Sequence, residues 1–269
     1  MQQIGKDKNI LLLTIPLAFL TALASYAGVF LENTYSRETM NYAAQGIGQD
    51  AVNLFIVAPL LLISALFAYR RNKLGLFIWS GALFYLVYSY TIYAFALHFN
   101  SLFLIYCMIL GLSFYSFAYF MYTVLKEDIT GWFTDMLPRK SIAIFFFVIA
   151  ALFYALWLSE IIPALLENKT PASVAENGLL INPVHVLDLS ICLPALIITG
   201  ILLLKRKKPG FLLTPALLSF CVLMSVAIVA MVIVMKMNEL EADMGLAVIF
   251  GIITFISIFF FIRYLRSLK

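Results

Sequence analysis

Charge is what this chain has least of. Asp, Glu, Lys and Arg make up 12% of its 269 residues, against about 25% in ordinary globular domains. That shortage excludes a disordered segment and a water-soluble α/β enzyme. Only three cysteines are present, none in a Cys-x-x-Cys pair, so a disulfide-stapled module is excluded too. There is no Gly-x-x-x-x-Gly-Lys phosphate loop, no His-Glu-x-x-His and no Gly-x-Ser-x-Gly. The two histidines, His98 and His185, are too few for bis-histidine ligation of two haems.

What fills the chain is apolar: 64% of the residues are hydrophobic and the mean hydropathy is +1.00. A helix needs about 20 apolar residues to cross a hydrocarbon core of about 30 Å. Eight segments meet that length: Asn9–Phe30, Ala51–Tyr69, Leu74–Leu97, Leu102–Leu125, Ser141–Ile161, Val184–Leu204, Phe211–Met235 and Met244–Leu265. Their apolar residues cover every face instead of alternating, which excludes membrane strands. The expected fold class is an all-α integral membrane protein in a lipid bilayer. Lys6 and Lys8 before the first apolar run, with Ala22-Leu23-Ala24 at its end, imitate a signal peptide. The internal repeat described below gives this span a counterpart, so it is expected to stay.

Direction follows from the bases. With a cytoplasmic N-terminus, one face collects Lys6, Lys8, Arg70, Arg71, Lys73, Lys126, Arg139, Lys140, the run Lys205-Arg206-Lys207-Lys208, Arg263, Arg266 and Lys269, 15 of the 18 basic residues. The other face keeps Arg37, Lys169 and Lys236 against Glu32, Glu38, Asp50, Glu160, Glu167, Glu176, Glu239, Glu241 and Asp243. Such a face concentrates cations, although acids are also tolerated wherever bases are excluded. Both termini are expected inside.

Shifting the chain by 135 residues sets Ile56-Val57-Ala58-Pro59 on Ile191-Cys192-Leu193-Pro194, and Arg70 through Gly75 on Lys205 through Gly210. It also sets Leu31-Glu32-Asn33 on Leu166-Glu167-Asn168; a slightly larger shift brings Ser113–Ser116 over Thr254–Ser257. This punctuation predicts a tandem repeat of four plus four helices, residues 1–125 and 141–269, joined by a cytoplasmic amphipathic linker 126–140. Ile129, Trp132, Phe133, Met136 and Leu137 recur there at helical spacing, as in a helix lying on a membrane surface. An even number of spans per unit makes the halves parallel, and transporters built this way place their sites between repeats.

Asp188 is the one charge inside an apolar core, and such a group costs about 2.5–3.5 kcal/mol on insertion scales. His185 lies three residues before it on the same helix face. Their counterparts at the shift are Asp50 and Asn53, and His98, Asn100, Glu32 and Glu160 fall in the same leaflet. These residues are the expected ligand- or ion-binding set, and hydrogen bonding among themselves or to a tyrosine is the structural alternative. Pro59 and Pro194, mid-span at matching positions, are the expected hinges. Eight of the 14 tyrosines lie in the third and fourth spans, with Tyr115, Tyr119 and Tyr122 in one stripe; packing or a pocket wall explains them.

Gly48-Gln49-Asp50, Phe99 through Tyr106 and Asn182 through Leu189 resemble stretches of bacterial multi-pass membrane proteins without an assigned function. The resemblance implies a bacterial cytoplasmic membrane. The expected function is a small permease or ion- or proton-coupled transporter, taking a cation or small amphipathic ligand between the repeats. No cofactor and no nucleic-acid partner is expected. One alternative is a non-transporting sensor, lipid-binding or accessory scaffold protein. Another is a metal-dependent intramembrane hydrolase using His98, His185 and Asp188 or Asp50. Ceramidase-like enzymes of that kind use three histidines, one more than this chain has.

Overall fold

The computed structural model describes residues 7–269. Lys6, counted above with the basic face, lies outside them. Among the described residues the chain is all-helical, without strands, and eight helices are long and apolar enough to cross a membrane. They are α1 (Lys8–Phe30), α2 (Met40–Tyr69), α3 (Lys73–Ala96), α4 (Phe103–Leu125), α5 (Arg139–Leu166), α6 (Pro183–Leu204), α7 (Lys208–Met237) and α8 (Met244–Leu265). Side chains such as Leu12, Phe19, Phe67, Leu152 and Phe255 point outward in a broad apolar surface. A surface of that extent belongs against lipid tails, where every backbone polar group is satisfied within its own helix. The eight apolar helices make this a multi-pass membrane protein.

Helix α3 is the most buried of the eight and α8 the least. α7 packs against α2, α3, α6 and α8, while α1 packs against α2 and α4, and α5 against α6. The loops fall at two ends. At the basic end, Asp7 donates its N–H to the Tyr69 carbonyl (3.1 Å), Arg71 pairs with Asp7 (3.1 Å), and Lys208 Nζ donates to the Glu127 carbonyl (3.1 Å). At the acidic end, Arg37 Nη1 donates to the Phe99 carbonyl (2.6 Å) and Gln45 Nε2 to Asn177 Oδ1 (3.4 Å).

The second helix starts at Met40, well before the expected Ala51. Thr39 caps it by accepting the Tyr42 N–H on Oγ1 (3.3 Å). Asn41, Gln45, Gln49 and Asp50 lower the hydropathy of this first stretch, yet it is helical because it packs on α7. Asp50 therefore lies inside a helix, not at its end. Residues 126–138 also differ from expectation. They form a 3-10 turn, Ile129–Trp132, and loop instead of a surface helix. Ile129, Phe133 and Leu137 are buried because they close the basic end of the bundle, where Phe133 meets the rings of Phe77, Phe211 and Tyr264. Two backbone bonds fasten the chain's last residues to this plug, Thr134 N–H to Ser267 O and Lys269 N–H to Trp132 O, both 2.8 Å.

Two helices carry a π turn, Asn53–Val57 in α2 and Asp188–Cys192 in α6. Proline explains them. Pro59 and Pro194 have no N–H to donate, and their rings crowd the carbonyl four residues back. In the π turn Ala58 and Leu193 instead donate to the carbonyls of Asn53 and Asp188, five residues back. Asn53 and Asp188 stand 135 residues apart. The same interval separates two left-handed residues, Arg71 (φ 56°) and Arg206 (φ 54°). Each follows a helix end closed by a bond from the next N–H to the carbonyl five back, Asn72 to Phe67 (3.1 Å) and Lys207 to Leu202 (2.9 Å).

Candidate functional site

The expected polar cluster is split into three groups. The first surrounds Asp50, 1% exposed. Tyr35 Oη donates to its Oδ2 (2.5 Å) and Tyr93 Oη to its Oδ1 (3.2 Å). Burial, and then the adjacent carboxyl of Asp50, holds the Tyr35 hydroxyl well above its ordinary range, so it stays a neutral donor. One turn on, Asn53 Oδ1 accepts from Tyr85 Oη (2.9 Å). The carboxyl lies against the backbone of α1 at Gly28, where an added Cβ would stand 1.7 Å from Asp50 Oδ2.

This contact makes a testable pair. Gly28→Ala is expected to destabilise the protein by about 1–3 kcal/mol through overpacking. Asp50→Ala should cost a similar amount by unpairing two tyrosine hydroxyls. The double variant, whose clash is relieved, should fall short of the sum by at least about 0.5 kcal/mol. Unfolding midpoints of the four proteins in one detergent measure the coupling, and strict additivity would refute it.

The second group is at the rim of the acidic end. His98 meets Glu38 through both its backbone N–H (2.7 Å) and Nδ1 (2.9 Å). Asn100 caps the following turn, accepting the Leu102 N–H (2.9 Å), and its Nδ2 donates to the Thr34 carbonyl (3.4 Å). Glu32 is exposed. These are loop-fastening contacts.

The third group holds Asp188, 8% exposed. Tyr88 Oη donates to its Oδ1 (3.0 Å) and Trp157 Nε1 to its Oδ2 (2.8 Å). His185 does not pair with Asp188 as the shared helix face suggests. Its Nε2 stands 3.4 Å from Glu160 Oε2 and 3.4 Å from Asn182 Nδ2. The Trp157 ring, 4.7 Å from the imidazole, also donates to Asp188, which links the two groups through α5. The other Glu160 oxygen accepts the Ser173 N–H (2.8 Å), tying α5 to the loop before α6.

Asp188 lines a cavity of about 450 Å³ that Asp50, Asn53, His98, Asn100, His185 and Glu32 do not line. The cavity reaches from the acidic-end loops, at Asn177, Glu241 and Asp243, down to Leu196 and Cys221. Side chains of α2 and α3 form one wall and those of α5, α6, α7 and α8 the other, with loop residues at the acidic end. Among the described residues that line it, none is Lys, Arg or His, whereas Asp188, Glu241 and Asp243 are acids. Tyr42 Oη and Gln49 Nε2 belong to lining residues, and among the described residues neither has a hydrogen-bond partner. Buried polar atoms left without a partner are rare, and a bound water or ligand is a common reason.

Among the described residues no three of His, Cys, Asp and Glu come together to hold a metal ion. His98, paired with Glu38, and His185, paired with Glu160, do not join Asp188 in a ligand set. The tyrosine stripe of α4 does not wall the cavity. Tyr115 and Tyr122 are 68% and 62% exposed, and Tyr119 Oη donates to Asp7 (2.9 Å). Of the residues that do shape the site, Tyr88, Trp157, Gln49 and Tyr42, none is among the expected binding residues. The available signal was Trp157 and Glu160, three apart near the end of α5.

Fold and site together define a polytopic helical membrane protein with an acidic cavity among its helices. Compared with known family models, curated proteins and solved structures, the chain matches none.

Proposed function

We propose that this protein is a small permease of two parallel four-helix repeats that admits a cation from the acidic side into the cavity beside Asp188. The observation that carries the reading is a buried carboxyl on a cavity where, among the described residues, no lining side chain is basic. A carboxylate in such surroundings is stabilised by a counter-ion, and the described lining offers no basic side chain for that role.

The repeat is supported by matched local geometry. The π turns, the prolines behind them and the left-handed residues recur at one interval, 135 residues. Gly75 and Gly210 recur with them. A Cβ at either would press on the preceding helix, 2.3 Å from Phe67 Cβ and 2.4 Å from Leu203 N respectively. Helices α3 and α7 touch where a Cβ on Gly81 would stand 3.4 Å from the carbonyl of Ala216, its own counterpart at that interval. A contact between a residue and its own counterpart fits a two-fold axis passing between α3 and α7. The basic end is the cytoplasmic one by the positive-inside rule, and both termini belong there. Pro59 and Pro194, next to π turns, are the points where α2 and α6 flex.

With the basic end closed by Phe133 and its neighbours, transport requires those helices to move. The same closure favours a second reading, a ligand-binding membrane sensor that never opens inward. Reconstitution separates the two. Proteoliposomes on a solid-supported membrane, exposed to steps of Na⁺, K⁺, H⁺ or small ammonium ions, are expected to give a sustained charge movement with at least one of them. Silence towards all, from protein that remains folded, would remove the permease and leave the sensor.

A further inference from the structure

We infer that the Asp188 cavity takes a monovalent organic ammonium ion with an apolar body, not a bare metal cation. The inference rests on the cation-binding reading above and narrows its ligand class. A bare cation needs a shell of several oxygens, and among the described residues Asp188 is not part of a group of three or more His, Cys, Asp or Glu side chains able to hold a metal ion. Its two oxygens already accept Tyr88 and Trp157. Each keeps one further lone pair, enough to face an ammonium group but not to build a cage.

The two rings that bond Asp188 continue into further aromatic side chains along the cavity. Tyr88 lies 5.2 Å from Phe220, and on the other side Trp157 lies 6.0 Å from Phe153, which is 5.8 Å from Phe250. All five rings line the cavity. Ring faces carry negative charge density that attracts weakly hydrated ammonium ions, most strongly where water is excluded. Beyond the rings part of the wall is apolar and pliable, with Met224, Met231 and Met235 of α7, side chains that adapt to ligand shape. About 450 Å³ lies within the range of small-molecule sites. Glu241 and Asp243, where the cavity meets the acidic-end loops, raise the local concentration of cations. An apolar neutral molecule would gain from the walls but leave the carboxylate without a counter-ion. Sodium would gain from the carboxylate but leave the rings and most of the volume unused.

The test is titration of the purified full-length protein in detergent, by calorimetry and by Trp fluorescence, with benzyltrimethylammonium, its uncharged carbon isostere neopentylbenzene, and sodium chloride. Saturable binding of the ammonium compound is expected, with binding of the isostere at least tenfold weaker. Sodium should not displace the ammonium beyond its effect on ionic strength. Asp188→Asn should weaken the ammonium at least tenfold, and Phe153→Leu, which keeps an apolar side chain at the wall, severalfold. Equal binding of ammonium and isostere, unchanged affinity in folded Asp188→Asn, or a response to sodium alone would overturn the inference. Sodium-driven, Asp188-dependent charge movement without ammonium binding defeats this inference and spares the permease. Ammonium binding without charge movement does the reverse.

Discussion

Asp188→Asn is expected to reduce cation-driven charge movement tenfold or more at subsaturating cation while leaving the protein folded. The substitution keeps the shape of the side chain. An asparagine oxygen still accepts from either Trp157 Nε1 or Tyr88 Oη, and its amide can donate to the Tyr88 hydroxyl, which both gives and takes. The two contacts now made by Asp188, at 2.8 Å and 3.0 Å, therefore survive in altered form. What disappears is the negative charge. A hydrogen bond to a charged group is worth about 1.5–3 kcal/mol, so cation affinity should fall roughly tenfold to a hundredfold. Asp188→Glu, which returns the charge, should regain part of the activity. Elution as a single species and an unfolding midpoint near the native value establish that the fold is intact. Undiminished charge movement in folded Asp188→Asn would end the case for Asp188 as the cation's partner. His185→Gln makes a useful contrast: His185 does not line the cavity, so its loss should weaken the Glu160 contact and spare most of the flux.

The largest structural effect is expected from Gly48→Ala. Here α2 crosses α7 with no side chain between them. An added Cβ would stand 2.5 Å from Met231 Cα and 2.9 Å from the Ala230 carbonyl carbon. Those are backbone atoms, so no rotamer change relieves the overlap and the two helices must separate. Separation would disturb Gln49 and Met231 together, both on the cavity wall. A cost of about 3 kcal/mol, at the upper end for overpacking, should appear as a sharply lowered unfolding midpoint or as loss of the monodisperse species. Gly111→Ala is the control. A Cβ at Gly111 meets nothing within 4 Å, so that variant should be neutral or gain up to about 1 kcal/mol from the better helix former. Equal effects from the two substitutions would contradict the close crossing.

Much of the bundle was legible before any coordinates. Length and apolarity are enough to define a spanning helix, because nothing else satisfies backbone groups in lipid. The helix ends were less legible wherever packing, not hydropathy, sets them. The stretch from Met40 to Asp50 is polar in sequence and helical in the structure because α7 covers it. The linker erred in the other direction. Ile129, Phe133 and Leu137 recur at the spacing of a surface helix, but their partners are Phe77, Phe211 and Tyr264 inside the bundle, and periodicity says nothing about what an apolar face will find.

Composition and the placement of charge determined by themselves that this chain is an eight-helix membrane protein, and they singled out Asp188 as the charge with no compositional reason to be there. Only the tertiary structure decided which polar residues meet. Asp50, His98 and Asp188 fall on one side of the bundle by hydropathy alone, yet they lie in separate groups, with Tyr35, Glu38 and Trp157 as their respective partners. The physical reason is the rotation of each helix about its own axis. Spacing along a chain gives depth and relative face, but which face turns towards which neighbour depends on contacts between side chains far apart in sequence, such as the crossing of α2 over α7 at Gly48.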